Sequence, residues 1–187
     1  MYLTKIENYL ICHVLNNIDA LGDTLEEKPY IYENEWFEET NVLRKIKGYL
    51  EKEGWNIQKS NEDKTQKGED IRASKNGKTL VMEVKGYPSD KYVKTTANHK
   101  AGEKKPTKPE LQARHWFAEA LFELEIRKSK EPNIKIALGL PLMKRYQNLL
   151  NEVEYVKDQL GITCYFTDEN GKVSVIKLGS GGDGYSE

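Results

Sequence analysis

Four parts of the chain carry apolar residues at intervals of three and four, the spacing that places side chains on one face of an α-helix. The second and fourth of these segments are followed by Gly54 and Gly161. Glycine is typical just beyond a helix because it adopts positive φ without steric strain. The predicted helices cover residues 1–22, 34–53, 110–129 and 142–160.

Between the helices lie short apolar runs bounded by turn-forming residues, a pattern typical of β-strands. Asn76-Gly77 separates one pair of runs and Asn170-Gly171 another, and this dipeptide favours a tight hairpin turn. The predicted strands cover residues 55–58, 70–74, 78–86, 134–140, 162–167 and 172–178. The order of the elements predicts an α/β sandwich with a mixed sheet flanked by helices.

The chain of 187 residues is long enough for one domain with a buried core. That domain is predicted over residues 34–178. Residues 1–33 are predicted to form a helix and a polar linker, and the Gly- and Ser-rich residues 179–187 are expected to be a flexible tail. The N-terminal helix could form a homodimer interface or cover a sheet edge, and the sequence leaves both alternatives open.

Composition narrows the class of protein. Charged residues make up 32% of the chain, the formal net charge is −1, and the mean hydropathy is −0.76. These values predict a soluble protein without a membrane segment, and any basic surface must be local. The N-terminus lacks the pattern of a signal peptide, and the two distant cysteines, Cys12 and Cys164, fit a reducing cytoplasm.

Three of the charged residues on the predicted central hairpin form a candidate site. Asp70 begins one strand, and Glu83 and Lys85 lie two apart on the next, so they share a face of the sheet. Antiparallel pairing would place Asp70 at the same end as Glu83. Two converging carboxylates repel each other unless a cation lies between them, and hard oxygen ligands suit Mg²⁺ or Mn²⁺. The alternative is a surface strand with an ordinary ion pair.

Such a group has the components that phosphodiester hydrolysis requires. A bound metal ion polarises a phosphoryl oxygen and lowers the pKa of an attacking water. Positive charge stabilises the negative charge that develops in the transition state. Asp70 and Glu83 would hold the ion, and Lys85 would orient the water or stabilise the developing charge.

The segments Gly68-Glu69-Asp70 and Glu83-Val84-Lys85 resemble the signature of the PD-(D/E)xK nuclease superfamily, nearest to its RecB-like and Mrr-like branches. Glycine stands where the literal signature has proline. The resemblance implies a restriction-endonuclease-like three-layer sandwich and a Mg²⁺-dependent nuclease. Its expected substrate is DNA, although the same charge arrangement would suit RNA or another phosphoryl compound.

Two helices add to the resemblance. The run from Gln112 to Trp116 is similar to the glutamine motif of RecB-like nucleases, with tryptophan in place of tyrosine, which implies a catalytic role for Gln112. Members of the superfamily often contribute a glutamate from the helix before the first strand. Glu35, Glu38 and Glu39 are the candidates here, and Glu39 is preferred as a third metal ligand because it shares a stripe with the apolar residues of that helix.

A long irregular segment, residues 87–109, begins two residues after Lys85. It holds six lysines against Asp90 and Glu103, a net charge of +4. Long loops within compact domains usually have a function, and we expect a flexible basic flap that contacts phosphates, with a solvated charged loop as the alternative. The predicted nucleic-acid-binding residues are Lys91, Lys94, Lys100, Lys104, Lys105, Arg114 and His115.

The sequence shows no separate module for reading bases and no P-loop for nucleotide hydrolysis. The main prediction is therefore a Mg²⁺- or Mn²⁺-dependent nuclease that acts on DNA. The alternative is a catalytically inactive, nuclease-like module that binds nucleic acid or a protein partner.

Overall fold

The computed structural model describes residues 31–62 and 68–177. The predicted helix over residues 1–22, Cys12 and the predicted tail lie outside this part of the chain. None of the helices in the described part is long and apolar enough to span a membrane.

The described residues contain one six-stranded sheet in which the spatial order of the strands equals their order in sequence. The strands are β1 Asn56–Ser60, β2 Ile71–Lys75, β3 Lys78–Val84, β4 Lys135–Pro141, β5 Thr163–Thr167 and β6 Val173–Lys177. Strand β2 is antiparallel to both β1 and β3, β4 runs parallel to β3, β5 runs parallel to β4, and β6 is antiparallel to β5. The prediction of a mixed sheet in an α/β fold is confirmed.

Helices pack on both faces of this sheet. The helices are α1 Glu39–Lys52, α2 Pro109–Lys130, α3 Lys144–Glu152 and α4 Glu154–Leu160. One apolar cluster joins α1 to one face, and a second joins α2 and α3 to the other. The side chains of β3 alternate between these faces, because Leu80, Met82 and Val84 lie in the first cluster and Val81 lies in the second.

Two helix predictions need correction. Helix α1 begins at Glu39 rather than residue 34, because the buried Glu38 side chain accepts hydrogen bonds from the Thr40 and Asn41 amides and so caps the helix. The predicted helix over 142–160 is two helices, since the backbone of Val153, at φ −115° and ψ 25°, leaves the helical region.

The Asn76-Gly77 turn fixes the register of the central hairpin. Both residues have positive φ, 49° and 72°, the conformation of a type I′ hairpin turn. Ile71 pairs with Met82 across β2 and β3, and the Asp70 amide donates to the Met82 carbonyl. Asp70 therefore meets Glu83 at the end of the hairpin.

Candidate active site at the end of the central hairpin

Asp70 and Glu83 form a buried carboxylate pair. Asp70 is 9% exposed and Glu83 is 5% exposed, and the two side chains are close enough for each to change the pKa of the other. Asp70 Oδ2 also accepts a hydrogen bond of 2.7 Å from the Val84 amide, and the Asn61 side chain hydrogen-bonds to Asp70. The backbone of the hairpin thus fixes one carboxylate beside the other.

Burial and mutual repulsion make the charged forms of these acids costly. Burial raises the pKa of Asp70, while the Val84 amide and the Lys85 charge oppose that rise. Burial, followed by the charge of Asp70, raises the pKa of Glu83 to about 8, against the lowering effects of Lys85 and Arg127. Strongly perturbed pKa values of this kind are concentrated at functional sites.

Lys85 lies at the exit of β3, and its backbone is fixed on both sides. Its amide donates to the Gly139 carbonyl at 3.0 Å. The next residue, Gly86, accepts a hydrogen bond of 2.7 Å from the buried Tyr146 hydroxyl. A Cβ on Gly86 would lie 2.6 Å from the Glu39 amide nitrogen, so this close approach requires glycine. The half-buried Lys85 is thereby held where its charge acts on both acids.

Asp70 and Glu83 are the residues of this site that could hold a divalent cation. The buried Glu83 Oε1 has no hydrogen-bond partner among the described residues, which is costly for a carboxylate oxygen unless a cation satisfies it. Mg²⁺ is commonly held by one or two carboxylates together with waters and substrate phosphates. Within residues 31–62 and 68–177, no group of three or more His, Cys, Asp or Glu side chains has metal-binding geometry, so the described site offers two acids.

Glu39, the predicted third ligand, is half-buried at the start of α1. Its charge acts on Tyr146, whose pKa is raised mainly by burial and further by neighbouring groups that include Glu39. The Glu39 backbone amide lies against Gly86, close to the end of β3. It does not join Asp70 and Glu83 in a three-acid group, and its role as a ligand stays a prediction.

The predicted glutamine motif lies at the start of α2. Gln112 is half-buried, and the neighbouring Arg114 and His115 are exposed. The α2 residues whose charges act on Glu83 are instead Glu123 and Arg127. Glu123 is eleven residues beyond Gln112, or roughly 16 Å along the helix axis. The structure therefore brings the later turns of α2 to the carboxylate pair, and a role for Gln112 stays a prediction.

An ionic cluster that the sequence did not predict borders the pair. Buried Glu69 contacts Arg72 at 2.7 Å and Arg127 at 3.1 Å. Arg72 also binds Glu131 through two hydrogen bonds of 2.8 and 3.1 Å. The cluster joins β2 to the end of α2. The one feature of the sequence that points to this cluster is Glu69, an acidic residue directly before Asp70.

The basic segment after Lys85 has a defined backbone. Lys91 and Lys104 form an isolated antiparallel bridge, and the Tyr92 and His99 rings stack in parallel with centroids 4.0 Å apart. Among the predicted contact lysines, Lys105 is half-buried. The exposed members are Lys91, Lys94, Lys100 and Lys104.

Comparison of the sequence with protein-family models and with curated proteins finds no match. The functional interpretation therefore depends on the residues and geometry of the chain itself.

Proposed function

We propose that the protein is a metal-dependent nuclease with a restriction-endonuclease-like fold that hydrolyses phosphodiester bonds in DNA. The observation that carries the proposal is the buried pair of Asp70 and Glu83, with a carboxylate oxygen that lacks a partner in the described residues and with Lys85 directly after the end of β3. A mixed sheet between helical layers is also the architecture that the resemblance implies.

The roles of the three residues follow from their charges. Asp70 and Glu83 would hold Mg²⁺ or Mn²⁺, which when bound supplies Lewis acidity and lowers the pKa of a water ligand. The Val84 amide keeps Asp70 oriented. Lys85 would donate a hydrogen bond to a non-bridging phosphate oxygen, where negative charge grows as the water attacks.

A cleavage assay tests the proposal. Wild-type protein is incubated with single-stranded, duplex and branched DNA, and with RNA, in Mg²⁺, Mn²⁺ or EDTA. We expect metal-dependent cleavage that Lys85→Ala reduces by about 10²-fold, the usual cost of losing one group that stabilises transition-state charge. Equal cleavage rates for wild type and Lys85→Ala, or cleavage that persists in EDTA, would contradict the nuclease assignment.

Basic residues of the loop supply the expected contact with substrate. Replacing the exposed residues Lys94, Lys100 and Lys104 together with glutamine should weaken DNA binding, because each phosphate that binds a lysine releases counterions. The slope of log Kd against log salt concentration should flatten by about 0.9 for each duplex phosphate that the variant no longer neutralises. Fluorescence anisotropy over a salt series measures both effects.

A matched triple variant controls for the change in net charge. Lys52, Lys130 and Lys135 are also exposed but lie on two helices and a strand outside the loop. Their replacement with glutamine should leave the salt slope close to that of wild type. Equal weakening by both triple variants would show that general charge, rather than the loop, governs binding.

One observation favours the second candidate, a nuclease-like module that binds nucleic acid without cutting. The described residues bring together two acids rather than three, and Glu39 is not grouped with them. Salt-dependent DNA binding without metal-dependent cleavage of any substrate in the assay would establish this candidate in place of the nuclease.

A further inference from the structure

Arg127, on the last turn of α2, is held by three acids. Its Nη1 lies 3.1 Å from Glu69 Oε2, its Nη2 lies 3.9 Å from Glu123 Oε2, and its Nε lies 4.0 Å from Glu83 Oε1. The shortest contact is with Glu69. Glu69, which is outside the carboxylate pair, therefore holds the guanidinium most closely. The guanidinium also faces Glu83, which belongs to the pair.

The contact with Glu83 is close but incomplete. Arg127 Nε and Glu83 Oε1 are both buried, and neither has a hydrogen-bond partner among the described residues. A separation of 4.0 Å is too long for a hydrogen bond, yet short enough for strong attraction between opposite charges. The negative charge of Glu83 is therefore only partly neutralised, and its Oε1 atom is still available to another cation.

We propose that Arg127 is the resident counter-cation of Glu83 and competes there with the catalytic metal ion. This inference rests on the proposed metal site. In the metal-free protein the guanidinium reduces the repulsion between Glu83 and Asp70 when both are ionised. A metal ion held by these acids would be repelled by the same positive charge, while Glu69 and Glu123 would retain the arginine. Arg127 thus stabilises the metal-free site and weakens its affinity for metal.

Removal of the Arg127 charge should lower the stability of the metal-free protein and raise its affinity for metal. Arg127→Gln should unfold at lower temperature without metal, because two buried carboxylates lose a counter-charge. It should bind Mn²⁺ about tenfold more tightly, because a divalent ion no longer meets a positive charge a few ångströms away. A purely structural arginine would give lower thermal stability and weaker, not tighter, Mn²⁺ binding.

The experiment measures Mn²⁺ binding to the full chain without DNA, by loss of the free-ion electron paramagnetic resonance signal, together with thermal unfolding in EDTA. Arg127→Lys retains the charge and should keep Mn²⁺ affinity close to that of wild type. If Arg127→Gln does not fold, Arg127→Met makes the same charge change while keeping an unbranched apolar stem.

Arg72→Gln is the matched control, since Arg72 shares the contact with Glu69 but pairs on its other side with Glu131. Its Mn²⁺ affinity should change by less than about twofold, because charges farther away are screened. Unchanged or weaker Mn²⁺ binding by a folded, neutral Arg127 variant, with normal binding by wild type, would overturn the role of Arg127 alone. Absence of Mn²⁺ binding by wild type would overturn the metal site itself.

Discussion

Glu83→Gln is expected to abolish metal-dependent cleavage while it increases the stability of the metal-free protein at pH 8. The substitution keeps the shape of the side chain and removes one of two repelling charges from a buried site. Without that charge the pair loses a ligand for the divalent ion. Function and stability should therefore change in opposite directions.

The loss of activity should be large. Lewis-acid stabilisation by a bound ion is worth several kcal/mol, and about 1.4 kcal/mol corresponds to each factor of ten, so we expect a decrease in kcat of about 10³-fold. Initial rates in saturating Mg²⁺, with chemical denaturation in EDTA on the same preparations, measure both properties. A substantial residual rate would show that Glu83 does not hold the ion.

Glu131→Gln provides the control for removal of an acid. Glu131 belongs to the adjoining ionic cluster, but it is exposed, and its side chain binds Arg72 rather than the carboxylate pair. Its replacement should leave cleavage near the wild-type rate. If both variants lose activity equally, the ionic cluster as a whole, rather than the metal ligand, would account for the effect.

The central part of the site was predictable because its determinants are local. Alternation along β3 separates Glu83 from its apolar neighbours Met82 and Val84, and the Asn76-Gly77 turn sets the register that brings Asp70 beside it. These rules connect residues a few positions apart in sequence. They apply before any knowledge of how the helices pack.

The remainder of the site depends on packing between distant segments. Arg127 lies 58 residues beyond Glu69, and no local pattern indicates which turn of α2 faces β3. The resemblance implies a role for Gln112 at the start of that helix, whereas the charges that act on Glu83 come from Glu123 and Arg127. Likewise, Glu38 is buried because its side chain caps α1. The spacing of apolar residues along the predicted helix does not distinguish this capping role from metal binding.

The same buried pair should make the stability of the metal-free protein depend on pH. The pKa of Glu83 is raised to about 8 in the folded protein, from an unperturbed value of 4.5, mainly by burial and then by Asp70. Between these values the folded state retains a proton that the unfolded state has lost. The free energy of unfolding should therefore decrease as pH rises through this window, since the unfolded chain binds fewer protons.

Comparison of wild type with Glu83→Gln in EDTA from pH 5 to pH 9 isolates the contribution of the carboxylate pair, because titration of groups outside the pair is common to both proteins. The wild type should lose stability relative to the variant, by on the order of 4 kcal/mol as an upper limit across the window. Added Mg²⁺ should restore wild-type stability most at the alkaline end, where the ligands are ionised, and should leave the variant nearly unchanged. Parallel pH profiles for the two proteins, or equal stabilisation of both by Mg²⁺, would show that Glu83 is not the buried acid that links proton release to metal binding.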